Sequence, residues 1–249
     1  MKLDFEYGVC DFSLVKDKLI NCRNKERLPE NAKSIILFAF PYKIKDEKPK
    51  NISRYAAITD YHTVVMSYLN NMLTDLKNEY PHNEFVAFCD NSPIPEVFAA
   101  ASCGLGVRGK NGLLINDKYG SFVFIGEIVT DLYIEHTAQY TECINCGVCE
   151  KMCPVALNKE NCLSAVTQKK KSITEEEAHS IRKSGCVWGC DICSEVCPMN
   201  KEKEKSNIKE FVESYRDEYV LGEESCDRPY TWRGLEVIER NYNILCGKG

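Results

Sequence analysis

The cysteines are the residues of this sequence whose spacing implies chemistry. One run reads Cys143-x2-Cys146-x2-Cys149-x3-Cys153-Pro154, a second Cys190-x2-Cys193-x3-Cys197-Pro198, and Cys162 stands between them. In such runs three close thiolates take three corners of a [4Fe–4S] cube, while the cysteine before the proline ligates the other cube. Two runs therefore imply two clusters held near each other and single electrons passing through the protein. A structural zinc also takes four thiolates at short spacing, but it has no use for two reciprocal Cys-Pro corners. By the crossed pattern Cys143, Cys146, Cys149 and Cys197 hold the first cluster. Cys153, Cys190 and Cys193 then need a fourth ligand, for which Cys162 and Cys186 are the candidates. Cys162 opens a stretch, Leu163 to Gln168, that suits a helical turn beside a cluster. Cys186 lies only four residues ahead of Cys190, and Cys162 is preferred.

The rest of the sequence must build a frame around these thiolates. At 249 residues the chain suits one large domain or two small ones with a real core. Its fifteen cysteines would suggest a disulfide scaffold in a short secreted chain. The start, Met1-Lys-Leu-Asp-Phe-Glu-Tyr7, lacks the apolar stretch of a signal peptide. No apolar run is long enough for a membrane span. The cysteines left over (Cys10, Cys22, Cys89, Cys103, Cys186, Cys226 and Cys246) read as reduced thiols packing as small hydrophobes, and a reducing cytoplasm is the expected compartment. The net charge of −5 does not advertise nucleic-acid binding.

Ser34 to Phe40, closed by Pro41, is a continuous apolar run of buried-strand length. A charged, lysine-rich loop follows, from Lys43 to Lys50. From Tyr61 to Tyr80, Val64, Val65, Tyr68, Leu69, Met72, Leu73 and Leu76 recur with helical period. Phe85–Cys89 predicts a short buried strand, and Pro95 to Ala101 a small-residue helix ended by glycines at 104, 106 and 109. Leu113–Ile115 and Ser121–Ile125 predict a hairpin about Asn116–Gly120. Strands mixed with helices make the first part an α/β or α+β domain. Lys201–Lys205 reads as a helix start or linker, and the tail as short and helical. The expected division is residues 1–138 as an α/β domain, 139–202 as a ferredoxin-like two-cluster module, and 203–249 as a helical tail.

Several segments, in order along the chain, resemble the epoxyqueuosine reductase family, the iron–sulfur and cobalamin enzymes that finish queuosine in transfer RNA. Ile52-Ser-Arg-Tyr-Ala56 with Asp60-Tyr-His62 is similar to one family segment, and Asp90-Asn-Ser-Pro93 with Glu96 to another. Gly104-Leu-Gly-Val-Arg-Gly-Lys-Asn111 resembles a family loop, and Gly120-Ser-Phe-Val-Phe-Ile-Gly-Glu127 a family strand, with Phe122 where members carry tryptophan. Cys162–Gln168, Gly189–Pro198, and Trp232-Arg-Gly234 with Arg240-Asn241 complete the series. Beside typical members the segment before Ser34 is short, and no helical-repeat segment follows Trp232-Arg-Gly234.

The resemblance implies a cobalamin on a first domain like the core of the reductive dehalogenases and nitroreductases, two clusters close by, and reduction of an epoxide to an alkene with loss of water. It supplies Cys162 as the last ligand of the cluster held by Cys153, Cys190 and Cys193. Asp90 matches the position that gives a proton to the departing oxygen, a role that burial against an apolar corrin would favour; the plain alternative is a turn residue ahead of Pro93. Arg54, Tyr55, Asn111, Leu114, Ile125 and Ser164 fall in segments that border the corrin in relatives, although each has an ordinary packing, pairing or capping alternative. His62 could coordinate cobalt, but members hold cobalamin without such a ligand. The implied partners are an external donor of flavodoxin or ferredoxin type and a transfer RNA anticodon loop, with no membrane. Two lysine groups, Lys43 to Arg54 and Lys169 to Lys183, could form a positive rim for the RNA. A reductase of a small molecule and a plain ferredoxin-type carrier remain the alternative functions.

Overall fold

The computed structural model describes residues 5–137, 141–223 and 227–248; Cys226 lies outside them. The chain divides into two units, each discontinuous in sequence. One contains Met1–Pro41, His62–Cys146 and Met199–Glu204; the other contains Tyr42–Tyr61, Gly147–Pro198 and Lys205–Gly249. Among the described residues no helix is long and apolar enough to cross a membrane.

The first unit is built on a four-stranded antiparallel sheet. Its strands are β1 (Tyr7–Asp11), β2 (Ser34–Pro41), β3 (Phe85–Cys89) and β6 (Val123–Thr130), in the order β1-β2-β6-β3. Every residue of β2 is buried, which accounts for its unbroken apolar run, since both faces of a central strand are covered. Ile35, Leu37, Ala39, Ile125 and Val129 share one core with Ala99 and Ala100 of helix α2 (Glu96–Ser102). Helix α1 (Tyr61–Glu79) buries Val64, Val65, Leu69 and Leu76, in line with the period of its sequence. It reaches the sheet at Gly126: a Cβ there would lie 2.6 Å from the Phe40 ring and 3.2 Å from both Leu69 and Val65.

The expected hairpin does not form. β5 (Leu114–Ile115) pairs back with β4 (Val107–Arg108), and only an isolated Asn116–Gly120 bridge links it towards β6. β6 instead lies between β2 and β3, where its eight residues find longer partners. Asn116 closes the turn, accepting from the Lys118 and Tyr119 N–H groups at 3.0 and 2.9 Å. Residues 203–208 are irregular rather than helical.

Because helix and sheet meet at Gly126 without room for a methyl group, Gly126→Ala should cost about 1–3 kcal/mol as an overpacked core position. A melting temperature equal to the parent's would show that the Phe40 ring moves aside freely.

Candidate redox and proton-transfer site

Most of the expected thiolate ligands lie in the second unit. Helix α3 (Val148–Met152) carries Cys149 and packs on helix α6 (Ile192–Glu195), which carries Cys193 and leads to Cys197. Cys149 and Cys197 are buried. Cys162 sits at the N-cap of helix α4 (Leu163–Thr167), the helical turn expected of that stretch. Burial first, then Asp191, Cys162 and Cys193, pushes the Cys190 thiol up to about 12. Such a thiol loses its proton when a bound cation displaces it, and Cys162, Cys190 and Cys193, close enough to act on one another, are a donor set of the kind a cluster's iron takes. Cys186 is engaged otherwise, its Sγ donating to the carbonyls of Trp188 and Gly189 at 3.3 and 3.4 Å. Cys153 is half-buried after α3, while Cys143 and Cys146 lie on an irregular stretch assigned to the first unit. No three His, Cys, Asp or Glu side chains among the described residues converge as a single metal ion would require; a four-iron cluster takes one thiolate per iron.

The second unit holds these segments through a buried polar frame. Trp188 is fully buried among Ile52, Ala56, Tyr219, Tyr230 and Ile238. Gly189, at φ +76°, presses on Ser53 so closely that a Cβ would collide with the Ser53 hydroxyl. On helix α8 (Leu235–Leu245) Asn241 donates to the carbonyls of Thr167 and Val187 at 2.8 and 2.9 Å. Arg54 is 4% exposed. Its guanidinium donates to the carbonyls of Lys45, Asp46 and Glu47 and to the Glu195 carboxylate. The expected corrin contact is thus a clamp between the charged loop and α6. Tyr55 is partly exposed and its hydroxyl accepts from Gln168, whose amide also donates to the Ser164 carbonyl at 3.0 Å.

In the first unit, Asp90 follows directly on β3 with φ +56°, and Asn91 comes next at +41°. Two successive left-handed residues cost on the order of 1 kcal/mol each, a burden asparagine and aspartate bear best. The corner is moored behind by Ser92, whose hydroxyl accepts the Ile94 N–H at 3.1 Å and donates to Glu127 on β6. Glu127 is 1% exposed and its Oε1 has no hydrogen-bond partner. Burial, and after it Glu96, pushes this carboxyl well up, against the Ser92 bond; burial and then Asp90 push Glu96 up to about 7. Asp90 itself is 58% exposed, with Oδ2 3.2 Å from His62 Nε2. Glu127 was discernible in the sequence as the lone acid of an apolar strand, but its partner Ser92 was not.

The remaining corrin candidates differ. Asn111 Nδ2 is buried without a partner while its Oδ1 accepts the Leu113 N–H, leaving a donor that fits a polar ligand edge. Leu114 and Ile125 lie in the sheet's own core. Gly106 and Gly109 are pressed against their own loop, where a Cβ would meet the Ile115 carbonyl or the Asn111 side chain.

Of the two expected basic groups, the first is largely spent. Lys43 is buried against Asp46 at 3.0 Å, Lys50 pairs with Glu218 at 3.1 Å, and Arg54 is internal. In the second group Arg182 pairs with Glu175 and Lys169 with Glu177, while Lys169, Lys170 and Lys171 join Lys159 and Arg233 around a cleft of about 840 Å³ also lined by Cys162, Ser164 and Gln168.

Glu127 and Glu96 are held above the ordinary carboxylate range in the folded state, so unfolding above that range and below their folded values releases their protons. The native state then binds more protons than the unfolded one, and stability falls as pH rises from about 4.5, through 7 for Glu96. Glu127→Gln should therefore melt above the parent at pH 8, with the difference vanishing towards pH 4; parallel pH profiles would exclude a neutral Glu127.

Residues 23–91 match the family model described as Epoxyqueuosine reductase QueG, DUF1730. The epoxyqueuosine reductase of Lactococcus garvieae is 36% identical over 188 residues, covering 69% of this chain and 53% of that protein. That of Cyclobacterium marinum is 33% identical over 248 residues, covering 85% and 80%. A solved structure of epoxyqueuosine reductase with a tRNA-Tyr epoxyqueuosine-modified stem loop aligns with 98% of this chain and 77% of its own, with a TM-score of 0.81 at 22% identity, a likeness of fold. The chain spans about half the length of the Lactococcus garvieae relative. With most of the Cyclobacterium marinum protein covered at that identity, the chain belongs to the epoxyqueuosine reductase family.

Proposed function

We propose that this protein reduces epoxyqueuosine to queuosine in transfer RNA, in the cytoplasm. The observation that carries the reading is the cationic cleft at Lys159, Lys169–Lys171 and Arg233, which opens beside Cys162 and Ser164. It offers an anionic polymer a seat next to a ligand of the electron relay, and family membership supplies the substrate. Two [4Fe–4S] clusters, on Cys143, Cys146, Cys149 and Cys197 and on Cys153, Cys162, Cys190 and Cys193, would relay single electrons from a flavodoxin- or ferredoxin-type donor. Cobalamin, when bound, supplies a strongly nucleophilic, reducible cobalt centre. Asn111, with its unpartnered buried amide donor, is the residue of the first unit suited to hold it. Residues 1–138 carry the cobalamin and Asp90, residues 139–202 the clusters, and 203–249 a tail whose first helix begins at Lys209.

Asp90 gives the proton that lets the epoxide oxygen leave. Its left-handed corner aims the carboxyl away from the core, and the Ser92–Glu127 bond keeps the loop in place. The lysines bind phosphates rather than bases, so RNA affinity should fall steeply with salt as counterions are released.

Anaerobically prepared protein should hold about eight irons per chain. Cys162→Ser should lose part of that iron and Cys186→Ser none; the reverse result would exchange their roles. Supplied with cobalamin and a reductant, the protein should convert epoxyqueuosine in a tRNA stem loop. Asp90→Asn should keep iron and corrinoid while turnover drops about 10²–10⁴-fold, the usual worth of a general acid. Parent turnover in that variant would remove Asp90 from the chemistry, and reduction of a small epoxide with none of the RNA would reassign the substrate.

A further inference from the structure

A group that donates a proton must first hold one, and Asp90 stands in water, 58% exposed. Carboxyl groups so placed carry no proton of their own at neutral pH as a rule. The structure places a group of the right kind beside it. His62, in the first turn of α1 and 37% exposed, sets Nε2 3.2 Å from Asp90 Oδ2. The other carboxylate oxygen, Oδ1, accepts the Asn91 N–H at 2.7 Å, so the corner that strains two residues also directs Oδ2 to the imidazole. An exposed ion pair of this sort would contribute little to stability. Histidine is, however, the side chain whose charge changes near neutral pH, and this one touches both water and the expected acid.

We infer that His62 supplies the proton that Asp90 hands to the substrate oxygen, the two acting as one relay from water to the reacting atom. The inference rests on the proposed reduction. That reaction takes two electrons, delivered one at a time by an external carrier protein, and two protons; an epoxide becomes an alkene and water. For the first proton, the His62 Nε2–H bond breaks as the Asp90 Oδ2–H bond forms. The Asp90 O–H bond then breaks as the epoxide oxygen gains hydrogen and its C–O bond gives way. Neutral imidazole recovers its proton from solvent, and the second proton, passed the same way, leaves with the oxygen as water when the remaining C–O bond breaks and the two carrier electrons complete the alkene. The other acids facing this corner are Glu96 on α2 and Glu127 on β6. Asp90 is the member that touches substrate, and His62 acts through it.

Two measurements test the relay. In protein as purified, the ring signals of His62 followed by NMR across pH should titrate, and Asp90→Asn should shift that titration to lower pH. With iron and cobalamin loaded, His62→Gln should retain both cofactors and RNA affinity but lose about 10²-fold in turnover. The fall in rate as pH rises through the His62 titration should vanish with it. An unshifted titration in Asp90→Asn, or a His62→Gln enzyme with the parent rate and pH profile, would overturn the relay. A parent protein inactive on the RNA would instead count against the proposed reaction, and the titration would then decide the pair alone.

Discussion

The side-chain amide of Asn241 holds together the segments that matter most in the second unit. It is fully buried, and a buried amide without partners would be costly. Every bond it needs is made. Its two N–H groups reach Thr167 and Val187, and its oxygen accepts from Arg240 at 3.1 and 2.9 Å. Thr167 ends the helix that Cys162 begins, and Val187 leads into Cys190. The same Thr167 receives the Gly189 N–H at 3.0 Å. One residue on α8 thus fixes two peptide segments whose cysteines are expected on one cluster. Arg240 extends the network to the carbonyls of Lys169 and Lys171, holding the backbone of the lysine stretch that lines the cleft.

Charge in this unit is sorted by burial. The loop from Lys43 to Lys50 is cationic in sequence, yet much of its charge is neutralised locally. Asp46, paired with Lys205 and then Lys43, has its carboxyl held down at about 2. Arg54 lends its fork to three carbonyls of the same loop, turning a charge into a scaffold. The cations at the cleft's edge include several not spent in this way. An acidic chain can therefore present a local basic surface, because net charge counts residues while binding depends on which of them face solvent.

The first unit combines a rigid sheet with a strained corner. Asp90 and Asn91 sit in a conformation their side chains tolerate rather than prefer, held by Ser92 on a buried, uncharged Glu127. Strain of this kind persists only where surrounding structure over-determines it. The sheet meets that demand: β6 pairs with strands on both sides, and α1 closes on it where Gly126 has no side chain.

The sequence alone pointed to iron–sulfur chemistry for the thiolates, because such ligation is written in short spacings that survive any fold. It also set the main elements, since β2 must be buried on both faces and α1 on one, and such patterns are local. Lone residues whose partners lie far along the chain were beyond its reach. Arg54 reads as a surface or corrin cation until three carbonyls and Glu195 surround it. Glu127 reads as one acid in a strand until burial, against the pull of its Ser92 bond, pushes its carboxyl well up. The apparent hairpin at Asn116 failed because β6 had two longer partners elsewhere. His62 could be weighed only as a cobalt ligand or a helix-start histidine, since the 3.2 Å contact with Asp90 joins positions 28 residues apart. Only the tertiary structure, by bringing α1 and the end of β3 together, made them a pair.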